Sequence, residues 1–218
     1  MKKLLALSLA AFALIGAAAQ AADLSAWSEG GLVKKDVKGI DVAYVRPGAN
    51  IAEYSKVLLK PVQVSFRKGW LQQPLPGSKF PINPADAQKI RDKLAKLVED
   101  EFRKELAAGG YQLATAPGDD VLEMEAAIVD LYAAAPAAAK SPTTKTFAVS
   151  AGEMSFVAQF SDSMTGDVLA RCFDKAIAHE TTRGQRISSV ENEAEAREIV
   201  STWAKILRGA LDAAHGIK

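Results

Sequence analysis

Apolar residues recur at helical spacing in two long segments of the chain. The first begins at Asn83, a good N-cap that is followed by Pro84 at the first helical position, and it ends at Gly109. The second runs from about Asn192 to Ala214, with either Ser188 or Asn192 as its cap. Each segment carries one apolar stripe, which predicts two long helices packed on a common core. The stripes are Ile90, Leu94, Leu97, Val98, Phe102 and Leu106, and then Ile199, Trp203, Ile206, Leu207, Ala210 and Leu211.

Elsewhere the pattern alternates with a period of two, which is typical of strands that bury one face. Pro61 interrupts one of these segments and removes a ladder donor, so we expect an edge strand or a bulge there. Residues Asp162 to Asp167 predict a hairpin connection, with Gly166 placed for a positive φ. The predicted strands are Lys56 to Phe66, Tyr111 to Ala114, Val121 to Leu131, Thr146 to Ser161 and Val168 to Ile177.

This order of elements predicts an α+β fold: a mixed, mostly antiparallel sheet of about five strands with two long helices packed on one face. The pattern leaves three alternatives for the other face of the sheet. It is solvated, covered by the proline-rich loop between residues 68 and 82, or bound to a partner.

The first 21 residues have the three parts of a secretory signal peptide. Lys2 and Lys3 precede an apolar run, and Ala19-Gln20-Ala21 matches an A-x-A cleavage site. The apolar run is shorter than the roughly 20 residues that span a bilayer, which argues against a membrane-anchored helix. We therefore predict cleavage between Ala21 and Ala22, an extended lead-in over residues 22–40 and a single domain over residues 41–215.

Charge and cysteine content narrow the possible locations and partners. Without the signal peptide, the 27 basic residues fall to 25 against 26 acidic ones, a balance that favours neither nucleic acid nor an anionic membrane as partner. Cys172 is the only cysteine, so an internal disulfide is excluded and no cysteine stands at the cleavage site to receive a lipid. The prediction is a periplasmic protein that is secreted across the inner membrane and is not lipidated.

No catalytic, metal-binding or cofactor-binding signature is present in the sequence. The chain lacks a G-x-S-x-G elbow, an H-E-x-x-H motif and a glycine-rich phosphate loop, and its two histidines, His179 and His215, do not make a zinc site. Cys172 lies on the apolar side of a predicted strand, where a small core residue is expected. Asp162 and Asp167 are explained by turn chemistry. We therefore predict no catalytic residue, metal or cofactor.

The proline-rich loop is the most promising surface in the sequence. Arg67, Lys68, Trp70 and Phe80 place cationic and aromatic side chains on a segment that its prolines keep irregular, and such side chains often anchor protein interfaces. The alternative is that Trp70 and Phe80 fold back over the sheet. This loop favours a noncatalytic protein-interaction module in cell-envelope maintenance or assembly, with these four residues as its candidate partner-binding surface. The competing hypothesis is a small-ligand binder or hydrolase with a pocket between sheet and loop.

Five motifs in the chain belong together: Tyr44 to Ala49, Tyr54 to Val62, Ala127 to Leu131, Ser150 to Met154 and Asp162 to Asp167. As a set they resemble the bacterial domain of unknown function family 3313. The resemblance covers about residues 31 to 214 and implies a secreted protein, often a lipoprotein, without an established activity. This chain departs from that pattern because it lacks a lipidation cysteine. The order of elements also resembles the amino-terminal domain of the periplasmic protein TolB, which implies a protein-binding role and another envelope protein as partner.

Overall fold

The computed structural model describes residues 27–28, 30–74, 81–134, 150–177 and 189–217. The predicted signal peptide with its cleavage site at Ala21 and Ala22, Phe80 and His179 lie outside these residues. In the described part of the chain, eight strands form one sheet and two long helices complete the fold. The strands are β1 (Val33–Lys34), β2 (Val42–Val45), β3 (Lys56–Leu59), β4 (Gln63–Phe66), β5 (Gln112–Leu113), β6 (Val121–Ala134), β7 (Ser150–Asp162) and β8 (Val168–Ile177), and the helices are α1 (Pro84–Ala108) and α2 (Ser189–Ala214).

The sheet has the strand order β1-β2-β8-β7-β6-β3-β5, and β4 pairs with β6 beyond the end of β3. Strands β1, β2, β8, β7 and β6 are antiparallel neighbours in that order. Strands β3 and β4 each pair in parallel with β6, and β5 pairs in parallel with β3. The predicted fold class is confirmed: the sheet is mixed and mostly antiparallel, and both helices pack against its core.

The strand count is larger than the five predicted, and two local causes account for much of the difference. The lead-in contributes β1, which is too short to show an alternating pattern. The predicted strand from Lys56 to Phe66 breaks around Pro61 into β3 and β4. At the break the Val62 N–H leaves the ladder and donates to the Glu99 carboxylate on α1 at 3.0 Å. Pro61 therefore divides one strand into two that both pair with β6.

A stack of three aromatic rings joins both helices to the middle of the sheet. Phe156 on β7 lies between Phe102 of α1 and Trp203 of α2, with ring centroids 5.4 Å and 5.0 Å apart. All three side chains are buried in the main core, beside Leu94 and Ile128. Stacked aromatic pairs add to the stability that their buried area already gives. This stack fixes where each helix crosses the sheet.

A bulge near the end of β6 decides which side chains face the core. Val129 pairs with Ser155 and Tyr132 pairs with Glu153, so two residues of β6 oppose one of β7. Asp130 has a φ of 52° and is the extra residue. Because of this extra residue, Leu131 is fully buried in the core while Tyr132 emerges on the opposite face. Simple alternation would have placed these two side chains the other way round.

The positive φ of Asp130 leads to a prediction about stability. Asp130→Val should lower the free energy of unfolding by about 1–2 kcal/mol, because a β-branched residue is strongly disfavoured at positive φ. Asp130→Gly is the matched control and should change it by less than about 1 kcal/mol, since glycine adopts this conformation freely. Urea denaturation of the three proteins measures the difference. Equal stability of the valine and glycine variants would contradict a bulge at this position.

Candidate functional site

The face of the sheet turned away from the helices, called here the open face, is partly covered by the lead-in. Trp27 is buried there against Ala127, Val129 and Val157 and forms a second, smaller apolar cluster. Tyr44 and Phe173 pack at its margin. The sequence pattern left three alternatives for this face: solvent, the proline-rich loop or a partner. The lead-in, which was not among them, provides part of the covering.

Beyond that cluster, one end of the open face exposes apolar and charged side chains together. Tyr132, Glu153 and Ile177 occupy one row across β6, β7 and β8. The two apolar members of the row are exposed, Tyr132 by 38% and Ile177 by 64%. Arg67 and Lys175 flank Glu153 from either side. We call these five residues the loop-end patch, because β6, β7 and β8 begin or end there.

Ion pairs hold the charged side chains of the patch in place. Arg67 Nη2 lies 2.6 Å from Glu153 Oε2, and Lys175 pairs with the other carboxylate oxygen. Hydrogen bonds from Lys175 and Arg67 hold the pKa of Glu153 below its usual range. The Arg67 guanidinium also lies over the Tyr132 ring, 5.4 Å from its centroid. The patch thus presents two cations, one carboxylate and an aromatic ring in a fixed arrangement.

The structure places the four predicted contact residues differently from one another. Arg67 belongs to the loop-end patch, and Lys68 is exposed beside it. Trp70 is only 6% exposed, and its ring stacks on Phe66 with the centroids 4.6 Å apart. Arg67 and Lys68 are thus accessible from solvent, whereas the Trp70 ring is buried in the main core. Phe80 lies outside the described residues.

Sequence reasoning missed Tyr132 and Ile177, the two exposed apolar members of the patch. Tyr132 faces outward because of the bulge at Asp130, and Ile177 stands at the last position of β8. The available signal was Asp130 itself, a charged residue in an otherwise apolar run, which indicates an irregularity in the strand.

A groove lies between β8 and α2, on the helix side of the sheet. It encloses about 310 Å³ and differs in place from the predicted pocket between sheet and proline-rich loop. Two of its lining residues are hydrogen-bonded to each other: the Trp203 indole N–H donates to Asp174 Oδ2 at 2.7 Å. Burial raises the pKa of Asp174, although the hydrogen bond from Trp203 acts in the opposite direction. The lining residues are Asp174, Ala176, Ile177, Glu195, Glu198, Ile199, Thr202 and Trp203.

Three of the residues considered for chemistry, Cys172, Asp162 and His215, make contacts within the fold. Cys172 packs against the core, and burial raises the pKa of its thiol to about 12, so the reactive thiolate is strongly disfavoured. Asp162 accepts the backbone N–H groups of Met164 and Thr165 at 2.9 Å and 2.7 Å within the β7–β8 turn. The ring nitrogens of His215 contact two backbone carbonyls. Within the described ranges no three His, Cys, Asp or Glu side chains cluster to hold a metal ion.

Comparison with known families gives a match over most of the chain. Residues 31–207 match the family model described as a protein of unknown function, DUF3313. The chain belongs to the DUF3313 family. The resemblance inferred from the motifs is thereby confirmed, and the match includes every residue of the loop-end patch. A comparison of this DUF3313 sequence with curated proteins finds no match.

Solved structures that are similar to this DUF3313 chain have low sequence identity and low TM-scores. The PelC dodecamer from Paraburkholderia phytofirmans is 12% identical, covers 76% of this chain and 96% of its own, and gives a TM-score of 0.40. A DUF330 protein from Xanthomonas campestris is 10% identical, with 72% and 87% covered and a TM-score of 0.38. A minor lipoprotein from Acinetobacter baumannii is 12% identical, with 73% and 94% covered and a TM-score of 0.33.

These similarities carry no inference about what the DUF3313 chain binds. They also do not confirm the likeness to the TolB amino-terminal domain, which stays a prediction. Among the described helices of this family member, neither is both long and apolar enough to cross a membrane.

Proposed function

We propose that this DUF3313 protein is a noncatalytic interaction module of the bacterial cell envelope that binds another envelope protein through the loop-end patch. The observation that carries the proposal is the exposure of Tyr132 and Ile177 on either side of Glu153, with Arg67 held over the tyrosine ring. The signal-peptide pattern of the first 21 residues supports the envelope location, with the mature protein in the periplasm and not lipidated.

The composition of the patch suits protein recognition. Single exposed apolar residues are common on protein surfaces, but here two share one row with charged neighbours. Tyrosine and arginine are the side chains that most often anchor interfaces. Arg67 is already held by Glu153 and Tyr132, so its side chain loses less conformational entropy when a partner binds. The patch is therefore prepared for contact without rearrangement.

The surroundings of two candidate reactive groups, the Cys172 thiol and the Asp162 carboxylate, support the noncatalytic part of the proposal. The Cys172 thiol is held protonated by burial, and the Asp162 carboxylate is engaged in its turn and by the Tyr54 hydroxyl at 3.0 Å. The pocket between sheet and proline-rich loop, on which the competing ligand-binding hypothesis depends, involves residues 75–80 and stays a prediction.

Site-specific photocrosslinking tests the proposed surface. A photoreactive phenylalanine analogue at position 132 should crosslink a discrete envelope protein in cells that produce this protein. The same analogue at Met164, which is exposed by 60% on the β7–β8 hairpin at the opposite end of the sheet, is the matched control. We expect the crosslinked species at position 132 and not at position 164.

A second variant separates contact from mere proximity. Arg67→Ala should weaken the crosslink at position 132, because the guanidinium contributes to the surface, while the circular dichroism spectrum stays that of the folded protein. If position 132 gives no species beyond those seen at position 164, the loop-end patch is not the binding surface.

A further inference from the structure

The edge of β8 next to the groove has no neighbouring strand in the described part of the chain. On one side β8 pairs with β7 as far as Ile177. On the other side its pairing with β2 ends at Phe173. Residues 174–177 of β8 therefore form an edge that no described strand covers, called here the free edge, although Asp41 contacts Asp174 and Lys175 at its start.

The backbone groups at this edge have a known direction. The Lys175 N–H points towards the β2 side, since it donates to Asp41 Oδ2 at 3.1 Å. In an antiparallel strand every second residue directs its N–H and C=O to the same side, so Ile177 presents both groups to the edge. Strand edges of this kind are templates for pairing with another chain.

The chain before β2 turns away and does not continue along this edge. Val37 and Ile40 form an isolated bridge, which makes a tight turn ahead of Asp41. Gly39 in this turn packs so closely on α2 that a Cβ there would lie 2.8 Å from Ile206 Cδ1. Among the described residues, the segment before β2 therefore does not pair with positions 174–177 of β8.

The groove beside the edge combines carboxylates with apolar surface. Asp174 and Ala176 lie on the helix side of β8, since they pair with the core-facing residues Phe156 and Met154. Helix α2 forms the opposite wall with Glu195, Glu198, Ile199 and Thr202. Asp174, Glu195 and Glu198 give the lining three carboxylates, and none of the lining residues is a lysine or arginine.

We propose that an extended basic segment of a partner protein adds as a strand to the free edge of β8 and places its cationic side chains in the groove against α2. Backbone hydrogen bonds to residue 177 supply pairing, as in other cases of strand addition. The aliphatic stems of lysine or arginine fit against Ile199 and Trp203 while their charged ends reach the carboxylates. Charge complementarity selects a basic occupant over an acidic one.

The proposal does not rest on the loop-end patch, although Ile177 belongs to that patch and also lines the groove. Tyr132 lies two strands away from the free edge in the same row. Tyr132→Ala should therefore leave binding in the groove unchanged, so that the two proposals fail independently.

Fluorescence anisotropy with short labelled peptides tests the groove. The probes are a hexapeptide of alternating lysine and valine and its counterpart of alternating glutamate and valine, each added to the purified full chain. We expect saturable binding of the lysine peptide that weakens with added salt, and none of the glutamate peptide. Failure of the lysine peptide to bind, or equal binding of both peptides, overturns the proposal.

Two pairs of variants locate the binding. Ile177→Pro removes an edge N–H that does not take part in the pairing with β7, whereas Ile177→Ala keeps it. Glu198→Gln removes a carboxylate that lines the groove. Glu193→Gln removes a carboxylate of the same helix, α2, that does not line the groove. Ile177→Pro and Glu198→Gln should each weaken binding about tenfold, the equivalent of about 1.4 kcal/mol. Glu193→Gln should leave binding unchanged, and Ile177→Ala should weaken it less than Ile177→Pro, because alanine removes part of the apolar lining but keeps the N–H. If Glu198→Gln binds like Glu193→Gln, the groove is not the site, whatever the folding of the proline variant.

Discussion

Replacing Phe156 by alanine is expected to lower the free energy of unfolding by about 3–5 kcal/mol. The side chain is buried between Phe102 of α1 and Trp203 of α2, so its removal leaves a cavity where both helices meet the sheet. Three elements lose contacts at once, and the surrounding rings are too rigid to fill the space. For a domain of this size, the melting temperature should fall by roughly 6–20 °C.

Phe156→Leu is the control for this prediction. Leucine keeps most of the apolar volume but not the ring, so the loss should be clearly smaller than for alanine. Urea denaturation followed by circular dichroism gives both values, and a constant slope against denaturant shows that only stability has changed. A loss below about 1 kcal/mol for Phe156→Ala would show that the stack does not join the helices to the sheet.

Replacing Arg197 by methionine is expected to lower the free energy of unfolding by about 1–3 kcal/mol near neutral pH. Arg197 of α2 reaches across to α1, where its Nη1 lies 2.6 Å from Glu101 Oε1. The Glu101 side chain is only 5% exposed, and Lys104 at 3.2 Å is its other cationic partner. Without Arg197, a nearly buried carboxylate keeps a single partner that is itself largely exposed.

The effect of this substitution should depend on pH. Burial alone would raise the pKa of Glu101, but hydrogen bonds from Arg197 and Lys104 outweigh it and hold the pKa below its ordinary value. Such a carboxylate stabilises the fold above the pKa it has in the unfolded chain, and this contribution is lost as the pH falls through the lower, folded-state pKa. The difference between wild type and Arg197→Met should therefore be largest near neutral pH and shrink below about pH 4.

A double variant provides the control for the ion pair. Glu101→Leu combined with Arg197→Met removes both charges and should be more stable than Arg197→Met alone, because no unpaired carboxylate remains between the helices. Urea denaturation at pH 7 and near pH 3.5 measures the three proteins. A difference between wild type and Arg197→Met that is the same at both pH values would mean that Arg197 acts by packing rather than by charge.

Much of the secondary structure could be predicted from local residues. The start of α1 is confirmed in detail, since the Asn83 side chain accepts the Asp86 N–H at 2.8 Å with Pro84 at the first helical position. The hairpin from Asp162 to Asp167 is confirmed as well, with Gly166 at a φ of 77°. These features depend on contacts between residues close in sequence, which is why the sequence pattern reveals them.

The candidate surfaces could be predicted only in part. Arg67 and Lys68 are at the surface, but Trp70 is buried, with its ring stacked on Phe66 four residues earlier in the chain. The outward position of Tyr132 depends on one extra residue in β6, whose effect is set by the register with β7. The direction of the Tyr132 side chain could not be predicted, because a strand distant in sequence decides it.

The sequence by itself determined the two helices, the longer strands, the main turns, the single cysteine and the family. Periodicity, capping residues and turn residues act over a few positions, so a linear reading captures them. Only the tertiary structure decided the strand order, the covering of the open face by Trp27, the loop-end patch and the groove beside β8. Each of these joins residues far apart in the chain, and their positions follow from strand pairing and core packing, which no local pattern specifies.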